Sequence, residues 1–389
     1  MKILTLHNYY QRPGGEDLVY SSEAALLEAH GHTVIRLSEN NSSITSGGFK
    51  AARQAIWNGA SLRRVRMAVQ EHCPDLIHAH NTFPLLSPSV YFAGREANVP
   101  VVQTLHNYRL LCPGATLMRE GAPCEECLGG RFVLPAIRHA CYRSSRPATA
   151  AVATMLTIHR ATGTWQRTVD FYIALSAFSK AKFVEGGIPA ERIAVKPNFI
   201  DTVPEPASVP GKYALFAGRL SEEKGIATLR AAWELDPALP LVVAGDGPMQ
   251  IGHWPPGIRA LGHQPRDKVL AMMHGAAMLI FPSVWYECNP MTILEAFAHG
   301  LPVVASDLGA MRELVDHGRT GLLFRAGDAQ DLARTVRWAV EHPSELAVMR
   351  MEARREYEAK YTPERNYSML MDIYGAAIER AHQRKLKAS

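Results

Sequence analysis

Residues 281–304 read FPSVWYECNPMTILEAFAHGLPVV. The apolar run 278–282 predicts a buried strand, and a second apolar run, 303–305, predicts another. Between them Pro290 suits the first turn of a helix, where its missing N–H would have no partner. Gly300 suits the position just past the end of that helix. Glu287 then sits on the strand-to-helix loop, and Glu295 inside the helix about one and a half turns in, at ~3.6 residues per turn. The free N–H groups of a helix start, with the dipole behind them, form an anion site. Two carboxylates bracketing a phosphate cradle suit a ligand that carries both hydroxyls and phosphate, as a nucleotide sugar does.

Working outward, 389 residues exceed the usual ceiling for one hydrophobic core, so two domains are expected. Hydrophobic content of 47% and charged content of 20% are those of a globular chain. No apolar run reaches the ~18 residues that a membrane span needs. The N-terminal MKILTLHNYYQRPGG reads as a strand entering a glycine loop rather than a signal peptide, so a cytoplasmic location is expected. The net charge is +5, and it is uneven: residues 1–200 hold 21 Lys+Arg against 14 Asp+Glu, residues 201–389 hold 21 against 23. A basic first half fits an acidic partner such as phosphate, anionic lipid or nucleic acid; a solvated charged surface is the plainer reading.

The first half alternates strand-like stretches (2–6, 33–37, 75–80, 99–105, 171–175) with helical ones such as 18–30. That alternation predicts a parallel sheet with helices on both faces. A proline-bearing segment, 201–206, reads as a linker. The pattern then restarts with strands at 213–217, 239–244, 278–282, 302–305 and 321–324 and helices at 224–235 and 266–274. From Asp328 on, the chain reads as almost wholly helical. Two doubly wound halves imply a ligand beyond the C-terminal ends of the strands.

Each half has a glycine turn after its first strand: Arg12-Pro13-Gly14-Gly15-Glu16, and Gly218-Arg219-Leu220-Ser221-Glu222-Glu223-Lys224-Gly225. Glycine there lets backbone approach a ligand closely, or is simply a turn residue. Neither turn is a dinucleotide fingerprint or a phosphate-loop motif. Arg219 and Lys224 add two cations, one at the strand end and one at the helix start. A cation at a helix N-terminus opposes the dipole, which makes sense if a phosphate dianion lies between the two; solvated side chains are the alternative. A third turn, Gly245-Asp246-Gly247-Pro248, reads as structural.

Together these residues resemble the retaining GT-B glycosyltransferases of the group 1 or family four type, many of them enzymes of bacterial polysaccharide and lipopolysaccharide assembly. The resemblance runs over nearly the whole chain: Gly14-Gly15-Glu16, Thr104-Leu105-His106-Asn107, Gly218-Arg219 with Glu223-Lys224-Gly225, Glu287 and Glu295 with seven residues between them, and Gly321-Leu322-Leu323-Phe324. It implies an α/β fold of GT-B architecture, two Rossmann-like doubly wound domains facing a cleft. The expected division is 1–200 on the acceptor side with a cysteine-bearing insertion at 110–145, 207–365 for the nucleotide sugar, and a helix at 366–389 packing back on the N-terminal domain.

The resemblance also implies roles. Arg219 and Lys224 would neutralise the leaving diphosphate, in place of a metal. Glu295 would hold the ribose hydroxyls. Glu287, with backbone N–H groups of the Asn289, Pro290 and Met291 segment, would contact the donor sugar and its phosphate. His106 would meet a distal sugar hydroxyl, and the Gly14, Gly15 and Gly218 backbone would approach the phosphates. A histidine capping a strand end and a solvated helix glutamate are the plain readings of His106 and Glu295. Retention could use a carboxylate nucleophile, but none is evident on the strand end near His106. The family is generally thought to react on one face, the leaving phosphate taking the acceptor's proton. Two departures stand out: Gly309-Ala310 where a double glycine is common, expected to place a methyl near the donor, and Cys288 where a small residue is common.

Of the six cysteines, Cys112, Cys124, Cys127 and Cys141 fall close together. The Cys124-Glu-Glu-Cys127 spacing suits a zinc knuckle that Cys112 and Cys141 could complete as a structural zinc site. Reduced thiols in a loop, or a redox-active pair, are the other readings. The stretch 61–69 is basic and amphipathic, suiting an anionic membrane surface or a packed helix with snorkelling arginines. The expected function is transfer of a hexose from a nucleoside diphosphate sugar, UDP favoured, to a saccharide acceptor carried on a lipid at the inner membrane face. A nucleotide-sugar epimerase and a non-catalytic nucleotide-sugar-binding protein are the alternatives. Basic clusters interleaved with aromatics are lacking, so nucleic acid is not an expected partner.

Overall fold

The computed structural model describes every residue except 12–13, 44–47, 131, 202–210, 250 and 387–389. Residues 12–13 of the first glycine turn and 202–206 of the linker segment therefore lie outside the described residues. The chain forms two compact units. One comprises Met1–Leu117, Cys124–Pro197 and Asn366–Ser389; the other Met118–Pro123 and Asn198–Arg365.

The strands of the first part of the chain are β1 (Lys2–Tyr9), β2 (Thr33–Asn40), β3 (Leu76–Ala79), β4 (Val101–Leu105), the short antiparallel hairpin β5 (Met118–Arg119) and β6 (Ala122–Pro123), β7 (Phe171–Ala174) and β8 (Ile193–Val195). The first unit's sheet is six-stranded and parallel, in the order β2-β1-β3-β4-β7-β8. The second unit's strands are β9 (Ala214–Ala217), β10 (Leu241–Ala244), β11 (Ile258–Ala260), β12 (Met278–Phe281), β13 (Val303–Ser306) and β14 (Gly321–Phe324). They too form a parallel six-stranded sheet, β11-β10-β9-β12-β13-β14.

The continuous apolar runs are explained by burial on both sheet faces. Along β9, Leu215 joins one core and Ala214 and Phe216 the other; along β12, Leu279 and Phe281 face the first and Met278 and Ile280 the second. The helix Met291–Ala298 packs Ile293, Leu294 and Phe297 into the first core, each with no exposure. Full burial of such a side chain contributes about 1.5–3 kcal/mol. Ala310 is also fully buried.

Strand order fixes where a site can form. In the second sheet the order reverses between β9 and β12, so the loops that follow these two strands are neighbours; in the first sheet the reversal lies between β1 and β3. Two features differ from the sequence reading. β1 runs three residues further, to Tyr9, because buried His7 and Asn8 find polar partners, Asp17 at 2.7 Å and Asn41 at 2.7 Å. β8 and β11 carry only three residues each, too few for a pattern to show. In the helix Pro363–Leu386 the Tyr374 hydroxyl lies 2.7 Å from His78 Nδ1 and Asn366 Oδ1 accepts from Lys196 Nζ at 3.1 Å, both within the first unit's core.

Candidate functional site

The second unit's polar centre sits at its sheet reversal. After β9, Gly218-Arg219 leads to a 3-10 turn, Glu222–Lys224, and Gly225 then opens the helix Ile226–Leu235. Gly225 has φ +70°, and a Cβ there would lie 1.8 Å from the Pro282 carbonyl oxygen, so only glycine lets this turn rest on the β12 loop. Ser283 Oγ donates to the Glu223 carbonyl at 3.0 Å and Val284 N–H to the same oxygen at 3.0 Å, locking the loops together. Gly245 and Gly247 support the turn from behind: a Cβ would lie 1.8 Å from the Gly218 carbonyl oxygen and 2.1 Å from that of Leu220.

That contact brings Lys224 onto Glu287. Nζ lies 2.5 Å from Oε1, and Ser283 Oγ, whose one hydroxyl proton is shared with the Glu223 carbonyl, lies 2.9 Å from the same oxygen. Glu287 is 5% exposed. The carboxylate thus supplies in the free protein the negative partner that the sequence reading assigned to a phosphate, and Lys224 alone no longer argues for a ligand. Two other features do. Arg219 is exposed at the β9 end and bonds no described side chain. Asn289, whose Oδ1 and carbonyl accept from Asn198 at 3.0 and 2.9 Å, leaves its Nδ2 buried without a partner, and Trp285 Nε1 is in the same condition. Pro290 is the N-cap and has no N–H, so the free donors at the helix start belong to Met291 and Thr292.

Glu295 is buried on the same helix and takes a hydrogen bond from Arg266 Nε at 2.9 Å. Burial raises its pKa, against the pull of the Arg266 guanidinium. Arg266, at the start of the helix Arg266–Gly275, was not singled out in the sequence; its position next to Glu295 depends on packing over 29 residues of separation.

In the first unit, His106 follows β4 and is half-buried. Its Nε2 lies 3.0 Å from His80 Nδ1. Burial, with His80 and His7 nearby, holds its pKa well below the ordinary histidine value, so the ring is neutral at physiological pH. Gly14 N-caps the helix Gly15–Ala29, and nothing would meet a Cβ there within 4 Å, so the backbone of this turn is open to approach. The same helix brings Glu16 to the end of β4: its Oε2 accepts from Tyr10 Oη at 3.0 Å and Asn107 Nδ2 at 3.3 Å. A carboxyl does therefore stand beside the His106-Asn107 strand end, contrary to the sequence expectation. Burial pushes its pKa up to about 8, against the lowering effect of these two hydrogen bonds. It is protonated at neutral pH, and a neutral acid is a poor nucleophile.

A pocket of about 800 Å³ also belongs to this unit. Ala51, Ala55, Ala151 and Val152 line its apolar side, Lys50 and Arg143 are among its polar groups, and Phe83 and Tyr142 form part of its wall. The Arg109 guanidinium stacks over Phe83 at 4.5 Å and Tyr142 at 5.1 Å, while Arg109 N–H donates to Asn107 Oδ1 at 3.0 Å. One wall of the pocket is thereby tied to the strand end that carries His106. The basic stretch 61–69 lies in the helix Gly59–His72, with Leu62, Val65 and Val69 buried, Arg64 paired to Glu39 and Arg66 to Glu96. No described helix is long and apolar enough to cross a membrane.

Cys112, Cys124, Cys127 and Cys141 are free thiols in one neighbourhood. Burial raises the Cys127 thiol to about 11, with the other three cysteines adding to the rise. Four thiolates on zinc would stand ~3.8 Å apart for Zn–S bonds of about 2.3 Å. Among the described residues, the group of three potential ligands whose atoms lie within 4.8 Å of one another is Glu23, His78 and His80, not these cysteines. Arg160 holds their loop, donating to the carbonyls of Gly130, Leu110 and Leu111 at 2.8, 3.1 and 2.9 Å.

Two family models match this sequence: one described as Glycosyltransferase Family 4 over residues 4–203, the other as Glycosyl transferases group 1 over residues 203–356. The chain is 27% identical over 292 residues to a glycogen synthase of Mycobacterium tuberculosis, covering 70% of this chain and 61% of that protein's length. It is 26% identical over 323 residues to a 2-deoxystreptamine glucosyltransferase of Streptomyces kanamyceticus, covering 78% and 77%. The solved structure of Anabaena Alr3699/HepE in complex with UDP matches with a TM-score of 0.69 at 20% identity, over 97% of this chain and 100% of that one. That likeness gives the fold, GT-B.

Proposed function

The chain belongs to the group 1, family four glycosyltransferases, and on that premise we propose that it moves a hexose with retention from a nucleoside diphosphate sugar, UDP favoured, to a saccharide acceptor, lipid-linked, in cell-surface polysaccharide assembly. The observation that carries this reading is the cluster at the second sheet's reversal. Exposed Arg219 at the β9 end, Lys224 on Glu287, and the orphaned Asn289 Nδ2 before the Met291–Ala298 helix belong to the loops that follow β9 and β12. Departure of a nucleoside diphosphate builds negative charge on phosphate oxygens. Fixed cations and helix N–H groups aimed there stabilise the transition state without reorganising.

Glu295, oriented by Arg266, is the ribose ligand in this reading, and Glu287 the sugar ligand. His106 is the first unit's contribution, bonding a sugar hydroxyl as a neutral ring. Glu16 is not the nucleophile of a double displacement, because it is protonated at neutral pH. Same-face attack, with the leaving phosphate taking the acceptor's proton, is the mechanism this chemistry favours. The pocket of about 800 Å³ receives the acceptor. Its apolar side and its Lys50 and Arg143 suit an anionic amphiphile. Peripheral contact with the inner membrane face is part of the same proposal.

A thermal-shift series with UDP, GDP and ADP sugars tests it. A ligand at 100 times its Kd stabilises by about 2.7 kcal/mol, so a UDP sugar should raise the melting temperature most. If no nucleotide stabilises the protein, the reading fails. Conversion of the sugar without transfer would identify an epimerase instead.

A further inference from the structure

Behind His106 runs a line of buried polar groups with no part in the reaction as set out above. Lys196 Nζ lies 2.7 Å from Glu23 Oε2; Glu23 Oε1 lies 3.2 Å from His80 Nε2; His80 Nδ1 lies 3.0 Å from His106 Nε2. Lys196 and Glu23 are each 1% exposed and His80 4%. The four residues come from the segment after β8, the Gly15–Ala29 helix, the end of β3 and the end of β4.

We propose that His80 and Glu23 are positioning residues that fix the tautomer of His106, placing its proton on Nε2 and leaving the Nδ1 lone pair as the atom offered to a substrate hydroxyl. The inference rests on the reading of His106 as a substrate contact. The polarity of the line follows from what each group can do. An ammonium only donates and a carboxylate only accepts. Lys196 anchors one end, so Glu23 is an acceptor; its Oε1 has no hydrogen-bond partner as it stands, and this carboxylate oxygen 3.2 Å from His80 Nε2 favours the tautomer that carries the proton on that nitrogen. A neutral His80 ring then has a bare Nδ1, which accepts from His106 Nε2–H. In a neutral imidazole the other nitrogen is the acceptor, so His106 Nδ1 keeps its lone pair.

The groups packed around His80 are Glu23 and Tyr20 from the Gly15–Ala29 helix, His7 from β1, His78 from β3, His106 from β4, Lys196, and Tyr374 from the Pro363–Leu386 helix. They hold one carboxylate. Burial alone would raise the Glu23 pKa, yet the Lys196 ammonium foremost holds it well below the usual carboxylate range, so the acceptor at the head of the line is permanent.

Glu23, His78 and His80 are also close enough to ligate a cation. The ammonium of Lys196 at 2.7 Å on the same carboxylate argues against that use. So does His78, whose Nδ1 is engaged by the Tyr374 hydroxyl at 2.7 Å and whose Nε2 is engaged by Thr104 Oγ1 at 2.8 Å.

The test uses the full chain, labelled with 15N at histidine. Long-range proton–nitrogen spectra should show His106 with its proton on Nε2. In the charge-balanced variant Glu23→Gln with Lys196→Met, the amide can donate to His80 Nε2. The line then reverses, and His106 should shift toward the Nδ1–H form. The kcat should fall roughly 10–100-fold, as for other groups that orient a ligand from behind, with a smaller change in donor KM. His80→Asn, whose Oδ1 can still accept from His106, should restore the wild-type tautomer and most of kcat, while His80→Leu should not. An unchanged His106 tautomer in the paired variant, or a flipped tautomer with unchanged kcat, overturns the proposal. If the paired variant fails to fold, equal kcat in His80→Asn and His80→Leu overturns it. The spectra need no substrate, so a protein that shows the tautomer shift but transfers nothing would refute the transferase reading alone.

Discussion

Replacing Glu16 by glutamine should remove one contribution to the pH dependence of stability, a loss as pH rises from about 6.5 to 8. The folded carboxyl titrates at about 8 against an ordinary value of 4.5. Between those values the unfolded chain has lost this proton and the folded chain keeps it. The folded state then binds more protons, so stability falls as pH rises, by at most about 1.4 kcal/mol per pH unit. His7, His32, His78, His106, His159 and His299 act in the opposite sense, because burial lowers each. Their contribution is lost as pH falls toward and below 6.5, where the unfolded rings take up protons that the folded rings refuse. These histidines are common to the wild type and Glu16→Gln, so the difference between the two proteins across pH 6.5 to 8 isolates Glu16. Over 1.5 units the ceiling is about 2 kcal/mol, and the slope flattens near the folded pKa. Glu16 is also only half-buried, so solvent screening brings the expected loss to about 1 kcal/mol. For a unit of roughly 200 residues this is a fall in melting temperature of about 2–4 °C. Differential scanning calorimetry of the full chain at the two pH values measures it. Glu16→Gln keeps the side-chain shape and should lack this loss, so wild-type stability should fall relative to the variant's across the interval. A Glu16→Gln variant with the same slope as the wild type would refute the argument.

Three further outcomes follow from the second unit. Lys224→Met should lower kcat by roughly 10²–10³-fold, the loss typical of one preorganised group aimed at developing charge; steady-state kinetics showing less than a threefold change would remove Lys224 from the leaving-group site. Glu295→Gln should raise the donor's KM more than it lowers kcat, because a ribose ligand acts in binding; the reverse split would place Glu295 in the chemistry. Gly225→Ala combines a φ of +70° with a Cβ 1.8 Å from the Pro282 carbonyl oxygen, so urea unfolding should show a loss of about 2–5 kcal/mol. An unchanged midpoint would mean that this turn does not rest on the β12 loop.

What the sequence made legible was local. Glu287 and Glu295 share one strand–loop–helix unit, so the spacing of a proline, a glycine and two apolar runs placed both correctly. The contact of Lys224 with Glu287 was not legible. It arises because β9 and β12 are neighbours at the sheet reversal, a fact of strand order that no short window contains. Arg266 and Glu16 were missed for the same reason, each reaching its partner from another element. The line behind His106 was more remote still, since Glu23 meets Lys196 across 173 residues. The four cysteines show the converse limit: spacing gathered them correctly, but it carries no information on whether the sulfurs close to bonding distance.

The Pro363–Leu386 helix has a consequence for the order in which the molecule is made. It belongs to the first unit, yet about 170 residues of the second unit are synthesised before it. At about 5–20 residues per second, that is a wait of order 10–30 s. During this time Lys196 and His78 are on the nascent chain, but Asn366 and Tyr374, which complete their hydrogen bonds, are not. The second unit can finish its core first, although it emerges later. The unit that carries His106 matures last, with a buried lysine and a buried histidine short of partners until its final helix arrives. Chaperone dependence during translation should therefore concentrate on the half of the protein that is made first.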